Sequence, residues 1–227
     1  MPLRVACLQI DIAFGNPKAN FKNVEKQFEA LEAQNFDVVV LPELWTTGYD
    51  LTRLEEIADR NGRESIRFLS RLAKTYQVNI VGGSIAKQSD QGVTNTMFFI
   101  DRTGTVVGEY SKLHLFQLMD EHLYLQHGAE ILFVVAEWPL PRLAHWRSLL
   151  ISRAIENQCY VIATNRAGSD PNNVFAGHSL VIDPWGEIVA EAGENPTVLK
   201  ADIDLELVQK VRKQIPIFTD RKPEFYS

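Results

Sequence analysis

Two ionisable residues stand where apolar strands end. Val38-Val39-Val40-Leu41-Pro42-Glu43 is an apolar run closed by a carboxylate, and Tyr110-Ser111-Lys112-Leu113-His114 carries an ammonium at the end of a second run. A glutamate partly withdrawn from water binds its proton more tightly and can act as a general base. A fixed lysine among apolar neighbours, here Leu113, Leu115 and Phe116, can stabilise an oxyanion that develops during acyl transfer. Each residue also has an ordinary reading. Most glutamates just past a strand are solvated, and most strand-end lysines extend to water. Leu44-Trp45-Thr46-Thr47-Gly48-Tyr49 follows Glu43 as an aromatic, glycine-containing loop, the kind of segment that builds sites at the carboxyl ends of strands in α/β proteins.

The rest of the chain supplies elements to hold these ends. Val5–Ile10 reads as a first strand, and Asn16-Pro17 starts a helix whose Phe21, Val24, Phe28 and Leu31 recur at helical spacing. Val38–Leu41 is a continuous apolar strand of the type buried on both faces. Ile66, Leu69, Ala73 and Tyr76 share one side of a second helix, and Val78–Ile85 is the next strand. Thr94–Ile100 and Thr105–Tyr110 flank the hairpin turn Asp101-Arg102-Thr103-Gly104. An apolar run at Ile131–Ala136 precedes a helix from about Arg142 to Asn157. Tyr160–Thr164, His178–Ile182 and Ile188–Ala190 read as strands, with Asp183-Pro184-Trp185-Gly186 as a turn. Asp204 caps a last helix that Pro216 stops. This order predicts an α/β domain over residues 1–227, two sheets face to face with helices outside. A lone glycine in Asp11-Ile12-Ala13-Phe14-Gly15-Asn16 argues against a dinucleotide-binding domain.

Bulk properties narrow the function. The 227 residues carry a net charge of −6, with 45% hydrophobic and 23% charged residues. An acidic balance argues against nucleic acid as a partner. No apolar run approaches a membrane span, and the N-terminus lacks a signal-peptide layout. Cys7 and Cys159 each sit in apolar sequence with no paired framework, which predicts a cytoplasmic location. The five histidines lack ligand spacing, and no phosphate loop is visible, so neither metal nor cofactor is expected. His114 and His178 read as packing groups or groups behind the site.

Leu41-Pro42-Glu43 with a downstream Lys112-Leu113-His114-Leu115-Phe116 resembles the nitrilase, or carbon–nitrogen hydrolase, superfamily. The resemblance continues through Ala136-Glu137-Trp138-Pro139, Ser152 to Cys159 and Gly177 to Gly186, in the family's order. It implies an α-β-β-α four-layer sandwich that assembles as a homodimer or higher homo-oligomer. It also implies hydrolysis of amides or nitriles through a thioester on a cysteine. Glu43 matches the general base and Lys112 the oxyanion-binding residue. Glu121 matches a supporting second glutamate, although an exposed loop carboxylate is the equal alternative. Tyr49, Glu137 and Trp138 fall where the resemblance places the substrate. Leu115–His122 and Ser179–Gly186 are similar to the branch that cleaves small ω-amides such as 2-oxoglutaramate.

The resemblance breaks at the nucleophile. Family members carry it in a Cys-Tyr-Asp-x-Arg-Phe-Pro-Glu type elbow between the lysine segment and the strand before Ala136-Glu137-Trp138. Here His127-Gly128-Ala129-Glu130 passes directly into Ile131, and no cysteine lies between Lys112 and Ala136. The expected loss is one strand–helix unit at Glu130, on the order of thirty residues. Buried cysteines within apolar runs are poor substitutes, because a reactive thiol needs a cationic, partly exposed setting. The sequence therefore predicts a carbon–nitrogen hydrolase by descent that is inactive as written. The alternatives are a catalytically dead homologue that binds ligands or partner subunits, and a deletion product of an active amidase.

Overall fold

The computed structural model describes residues 2–31, 35–112, 128–218 and 220. The lysine-following segment, including His114 and Glu121, lies outside the described residues. The strands are β1 (Leu3–Gln9), β2 (Val38–Val40), β3 (Asp59–Arg60), β4 (Asn79–Ser89), β5 (Gly92–Ile100), β6 (Val106–Ser111), β7 (Ile131–Ala136), β8 (Tyr160–Asn165), β9 (Leu180–Ile182), β10 (Ile188–Glu191) and β11 (Thr197–Ile203).

The first sheet runs β11-β1-β2-β4-β5-β6, with β3 added along β4. β1, β2 and β4 are parallel, and β4, β5 and β6 form an antiparallel meander. The second sheet runs β10-β9-β8-β7, with β7 and β8 parallel. Val5, Cys7, Val38, Val40 and Val81 of the first sheet meet Tyr160, Ile162 and Val181 of the second. The other face of the first sheet, with Ala6, Leu8, Val39 and Ile80, packs on Val24 and Phe28 of helix Pro17–Leu31 and on Leu69 and Leu72 of helix Arg63–Tyr76. The outer face of the second sheet packs Val134, Val161 and Leu180 on Trp146, Leu150 and Ala154 of helix Leu143–Asn157. Four layers, α-β-β-α, result, as the alternation of apolar strands and amphipathic helices requires.

Local chemistry sets the element ends. Asn16 accepts the Ala19 N–H at 3.2 Å and Pro17 opens its helix. The turn at Asp101–Gly104 closes with Gly104 N–H donating to Asp101 O at 2.8 Å. The last helix spans Glu206–Gln214, with Asp204 accepting the Glu206 N–H at 3.0 Å and the chain leaving helical geometry before Pro216. Two differences from the sequence reading stand out. The strand expected over His178–Ile182 starts only at Leu180, because His178 takes a left-handed φ of 48°. The sequence reading also lacks β11, which pairs antiparallel with β1 along its whole length. Thr197–Ile203 includes the charged residues Lys200 and Asp202, so it does not show the apolar run of a buried strand.

Among the described residues β7 is the last strand of its sheet, bonded to β8 alone. Ile131, Leu132, Phe133 and Val135 are only half-buried there. A bare apolar edge of this kind is unusual, because such edges invite further pairing.

Candidate active site

Three strand ends converge at one point. β2 runs into Leu41-Pro42-Glu43, β6 ends one residue before Lys112, and β7 ends one residue before Glu137. The path after β2 is tight. Gly83 interrupts the β4–β5 register at φ +57°, and a Cβ there would come 2.1 Å from the Pro42 carbonyl oxygen. Only a residue without a side chain lets the two backbones pass so closely. Leu44 itself takes a positive φ of 42°. Its N–H donates to Ser84 Oγ at 3.0 Å, and the buried Trp45 indole donates to Gly82 O at 2.8 Å. Thr47 and Gly48 N–H groups both donate to Leu44 O, closing the turn that returns Tyr49 to Glu43. Strained backbone at the residue after a carboxylate is common in functional sites and persists only where surroundings fix it.

Glu43 is 7% exposed and surrounded by donors. Lys112 Nζ donates to Oε1 at 3.1 Å, and Asn95 Nδ2 donates to the same oxygen at 2.7 Å. The backbone N–H of Glu137 donates to Oε2 at 3.2 Å, across the gap between the two sheets. The Tyr49 hydroxyl also hydrogen-bonds Glu43. Burial, followed by the negative charges of Glu43 and Glu137, pushes the Tyr49 phenol well above its ordinary range, so it stays a donor. Chemically, the arrangement is a fixed carboxylate in contact with a cation, as general base and oxyanion stabiliser require.

Behind it lies a second ion pair. Arg166, after β8, is fully buried and donates from Nη1 to Glu137 Oε2 at 2.6 Å, with both side chains closed to solvent. Arg166 Nη2 donates to Ile12 O at 2.8 Å, and the guanidinium stacks 4.1 Å from the Phe175 ring centre. Burial raises the Glu137 carboxyl to about 8, Arg166 opposing and the Glu43 and Asp170 charges adding to the rise.

The structure thus brings Glu43, Lys112, Tyr49 and Glu137 together. The Trp138 ring joins the outer cluster with Trp146, their centres 5.7 Å apart, with its indole N–H donating to Arg142 O at 2.7 Å, while the Trp138 backbone N–H donates to Asn165 Oδ1 at 2.6 Å. Asn95 and Arg166 are site residues that the sequence reading missed. Arg166 could have been found by the rule that found Glu43, since it follows an apolar strand end. Asn95, within a strand, gives no such signal.

Neither cysteine faces this site as a reactive thiol. Both are fully buried, and burial pushes the Cys7 thiol up to about 12, only partly offset by its hydrogen bond with Thr164. Among the described residues, no group of three His, Cys, Asp or Glu side chains could hold a metal ion, and no helix is long and apolar enough to cross a membrane.

Comparison with known proteins agrees with this geometry. A family model described as carbon-nitrogen hydrolase matches residues 4–127 and 119–213. The chain is 46% identical to the 2-oxoglutaramate amidase of Bacillus subtilis (strain 168) over 260 aligned positions that cover 100% of both proteins. It is 31% identical to the omega-amidase YafV of Escherichia coli (strain B / BL21-DE3), covering 96% of each. The crystal structure of Saccharomyces cerevisiae Nit3, from the nitrilase superfamily, superposes with a TM-score of 0.87 at 25% identity, over 95% of this chain and 94% of that one.

Proposed function

The chain belongs to the carbon–nitrogen hydrolase family, and from that premise we propose that its site binds a small ω-amide of the 2-oxoglutaramate type without turning it over as this sequence stands. The observation that carries the reading is the 3.1 Å contact between Glu43 and Lys112, held by donors from both sheets. Glu43 is the base, and Lys112 is the cation for the oxyanion of a tetrahedral intermediate. Glu121 supports the lysine and Tyr49 borders the amide, whereas the Trp138 ring packs on Trp146 in the outer cluster and reaches the site through its backbone. In the mechanism implied by the family, Glu43 takes the proton of a thiol that attacks the amide carbon. Ammonia leaves, and Glu43 then activates the water that cleaves the thioester. This chain offers no thiol for the first step, since Cys7 and Cys159 are buried.

Three observations support the loss of one strand–helix unit before β7. Alignment with the Bacillus subtilis amidase needs 260 positions against 227 residues here, a difference of 33. The family model matches in two pieces that meet at residues 119–127. The apolar β7 edge, bonded among the described residues to β8 alone, is where a further strand would pair. The same edge favours the second reading, a deletion product of an active amidase, which sequencing the gene across Glu130–Ile131 together with an intact mass decides. The two sheets share one interior, which supports a single domain over residues 1–227. The absence of a disulfide at Cys7 and Cys159 fits the cytoplasm, and the family fits a homodimer or larger assembly.

The test is a calorimetric titration of the purified protein with 2-oxoglutaramate, paired with ammonia release and intact mass. Binding without ammonia and without an acyl adduct is expected. An adduct on Cys7 or Cys159, or steady ammonia release, refutes the loss of activity, and no binding refutes the ligand.

A further inference from the structure

The Glu137 side chain does not open toward the space around Glu43. It is closed to solvent and turned onto Arg166, while its backbone N–H holds Glu43 Oε2 at 3.2 Å. That backbone is itself tightly fixed. Arg166 N–H donates to Ala136 O at 3.0 Å, and the Asn165 side chain brackets Trp138, accepting its N–H at 2.6 Å and donating to its carbonyl at 3.2 Å. The side chain and backbone of the residues after β8 therefore set where the Glu137 N–H points.

The charges around this point do not balance. Among the described residues, the buried or half-buried groups facing one another are two cations, Lys112 and Arg166, and three carboxylates, Glu43, Glu137 and Asp170. Asp170 Oδ2 lies 3.7 Å from Arg166 Nη1. Asp11, 55% exposed, stands at the rim 3.8 Å from Arg166 Nη2, and the Tyr49 phenol is neutral. A buried cluster with one surplus negative charge lowers its energy by keeping a proton. Glu137 Oε1 and Asp170 Oδ2 are both buried without a hydrogen-bond partner, and Glu137 is the one of the two that also meets Glu43, through its backbone N–H; the space a Gly48 Cβ would take lies 4.0 Å from Glu137 Oε1.

We propose that Glu137 is a positioning residue that carries the removable proton of the site, gripping Arg166 with its carboxyl while its N–H orients the Glu43 carboxylate toward Lys112. Losing that proton places a second negative charge beside Glu43, whose carboxyl resonance then reports the change. The direction agrees with the raised proton affinity of Glu137, to about 8, in which burial is the largest cause. The proposal rests on the reading of Glu43 and Lys112 as the reacting pair, but its test uses neither substrate nor thiol. Failure of ω-amide binding therefore leaves it decidable.

The experiment is a carboxyl-carbon NMR titration of the full chain labelled with 13C in glutamate side chains, with assignments from Glu137→Gln and Glu43→Gln. In the native chain the Glu137 carboxyl is expected to titrate several pH units above an ordinary glutamate. The Glu43 resonance is expected to shift at the same midpoint, and that second shift disappears in Glu137→Gln. In Asp170→Asn, which removes one of the surplus carboxylates, the Glu137 midpoint moves down. A purely structural role for Glu137 predicts no coupled shift at Glu43. A Glu137 midpoint in the ordinary carboxylate range overturns the proposal, and so does a Glu43 inflection that persists in Glu137→Gln. If both of those variants fail to fold, Asp170→Asn decides it: the highest glutamate midpoint moves down, and an unmoved midpoint overturns the proposal.

Discussion

Replacing Glu43 by glutamine isolates what its charge does for the fold. Gln is nearly isosteric, and its carbonyl can keep the Asn95 Nδ2 donor, 2.7 Å from Oε1 in the native site. Its NH2 group then faces the Glu137 N–H, which has no other acceptor in place of Oε2. A buried donor left unsatisfied costs roughly 1–3 kcal/mol. Lys112, 32% exposed, turns to water, and its lost pairing adds about 0–1 kcal/mol after solvent screening. The expected loss is therefore roughly 1–4 kcal/mol, because the bond being broken joins the first sheet to the second. For a chain of this size that is roughly 2–16 °C in Tm. Differential scanning calorimetry at neutral pH, checked by urea unfolding, reads it directly. The opposite result is physically reasonable, since many catalytic carboxylates are held at a cost in stability. A Glu43→Gln protein that melts at or above the native chain refutes the claim that Glu43 anchors the sheets.

Two further outcomes follow from the geometry. Gly83→Ala sets a Cβ 2.1 Å from the Pro42 carbonyl oxygen at a φ of +57°. It should lose at least about 2 kcal/mol in urea unfolding, and a loss under about 0.5 kcal/mol contradicts the close crossing of the two backbones. The second concerns pH. Glu137 binds its proton more tightly in the folded chain, near 8 against an ordinary 4.5, so it stabilises fully below the ordinary value and that contribution is lost as pH rises toward 8. Folding free energy of the native chain should fall with pH across that window more steeply than that of Glu137→Gln, and equal slopes contradict the raised value.

Much of this site is legible in sequence because strand ends leave a simple mark: an apolar run followed by one ionisable residue. Glu43 and Glu137 carry it, Lys112 ends a mixed strand that includes Glu109 and Ser111, and the structure brings all three together. Arg166 carries the same mark after Tyr160–Thr164, yet arginine is so rarely buried that composition argues against reading it inward. What makes its burial tolerable is nonlocal: Glu137, the Ile12 carbonyl and the Phe175 ring come from three separate parts of the chain. Asn95 is invisible for another reason, since an amide within a strand looks the same whether it faces water or a carboxylate. The β11 strand was missed because Lys200 and Asp202 break its apolar pattern, while its pairing with β1 is decided by backbone hydrogen bonds that sequence does not display.

The donor set around Glu43 also explains how its contacts hold without any bond from the stretch between Lys112 and β7 described above. An ionised carboxylate offers about four acceptor positions. Here Lys112, Asn95, Tyr49 and the Glu137 N–H occupy them from four different segments. None of those donors belongs to the segment between Lys112 and β7, so losing a strand–helix unit there leaves the Glu43 contacts complete. The same saturation limits chemistry. A carboxylate with every acceptor position filled takes a new proton only if one donor withdraws. Asn95, Tyr49 and Glu137 are packed inside, whereas Lys112 has a third of its side chain in solvent. Lys112 is therefore the donor that gives way at least cost, leaving Asn95 as the remaining donor on Oε1. Of the four bonds to Glu43, the contact with Lys112 is thus the one that opens without unpacking the interior.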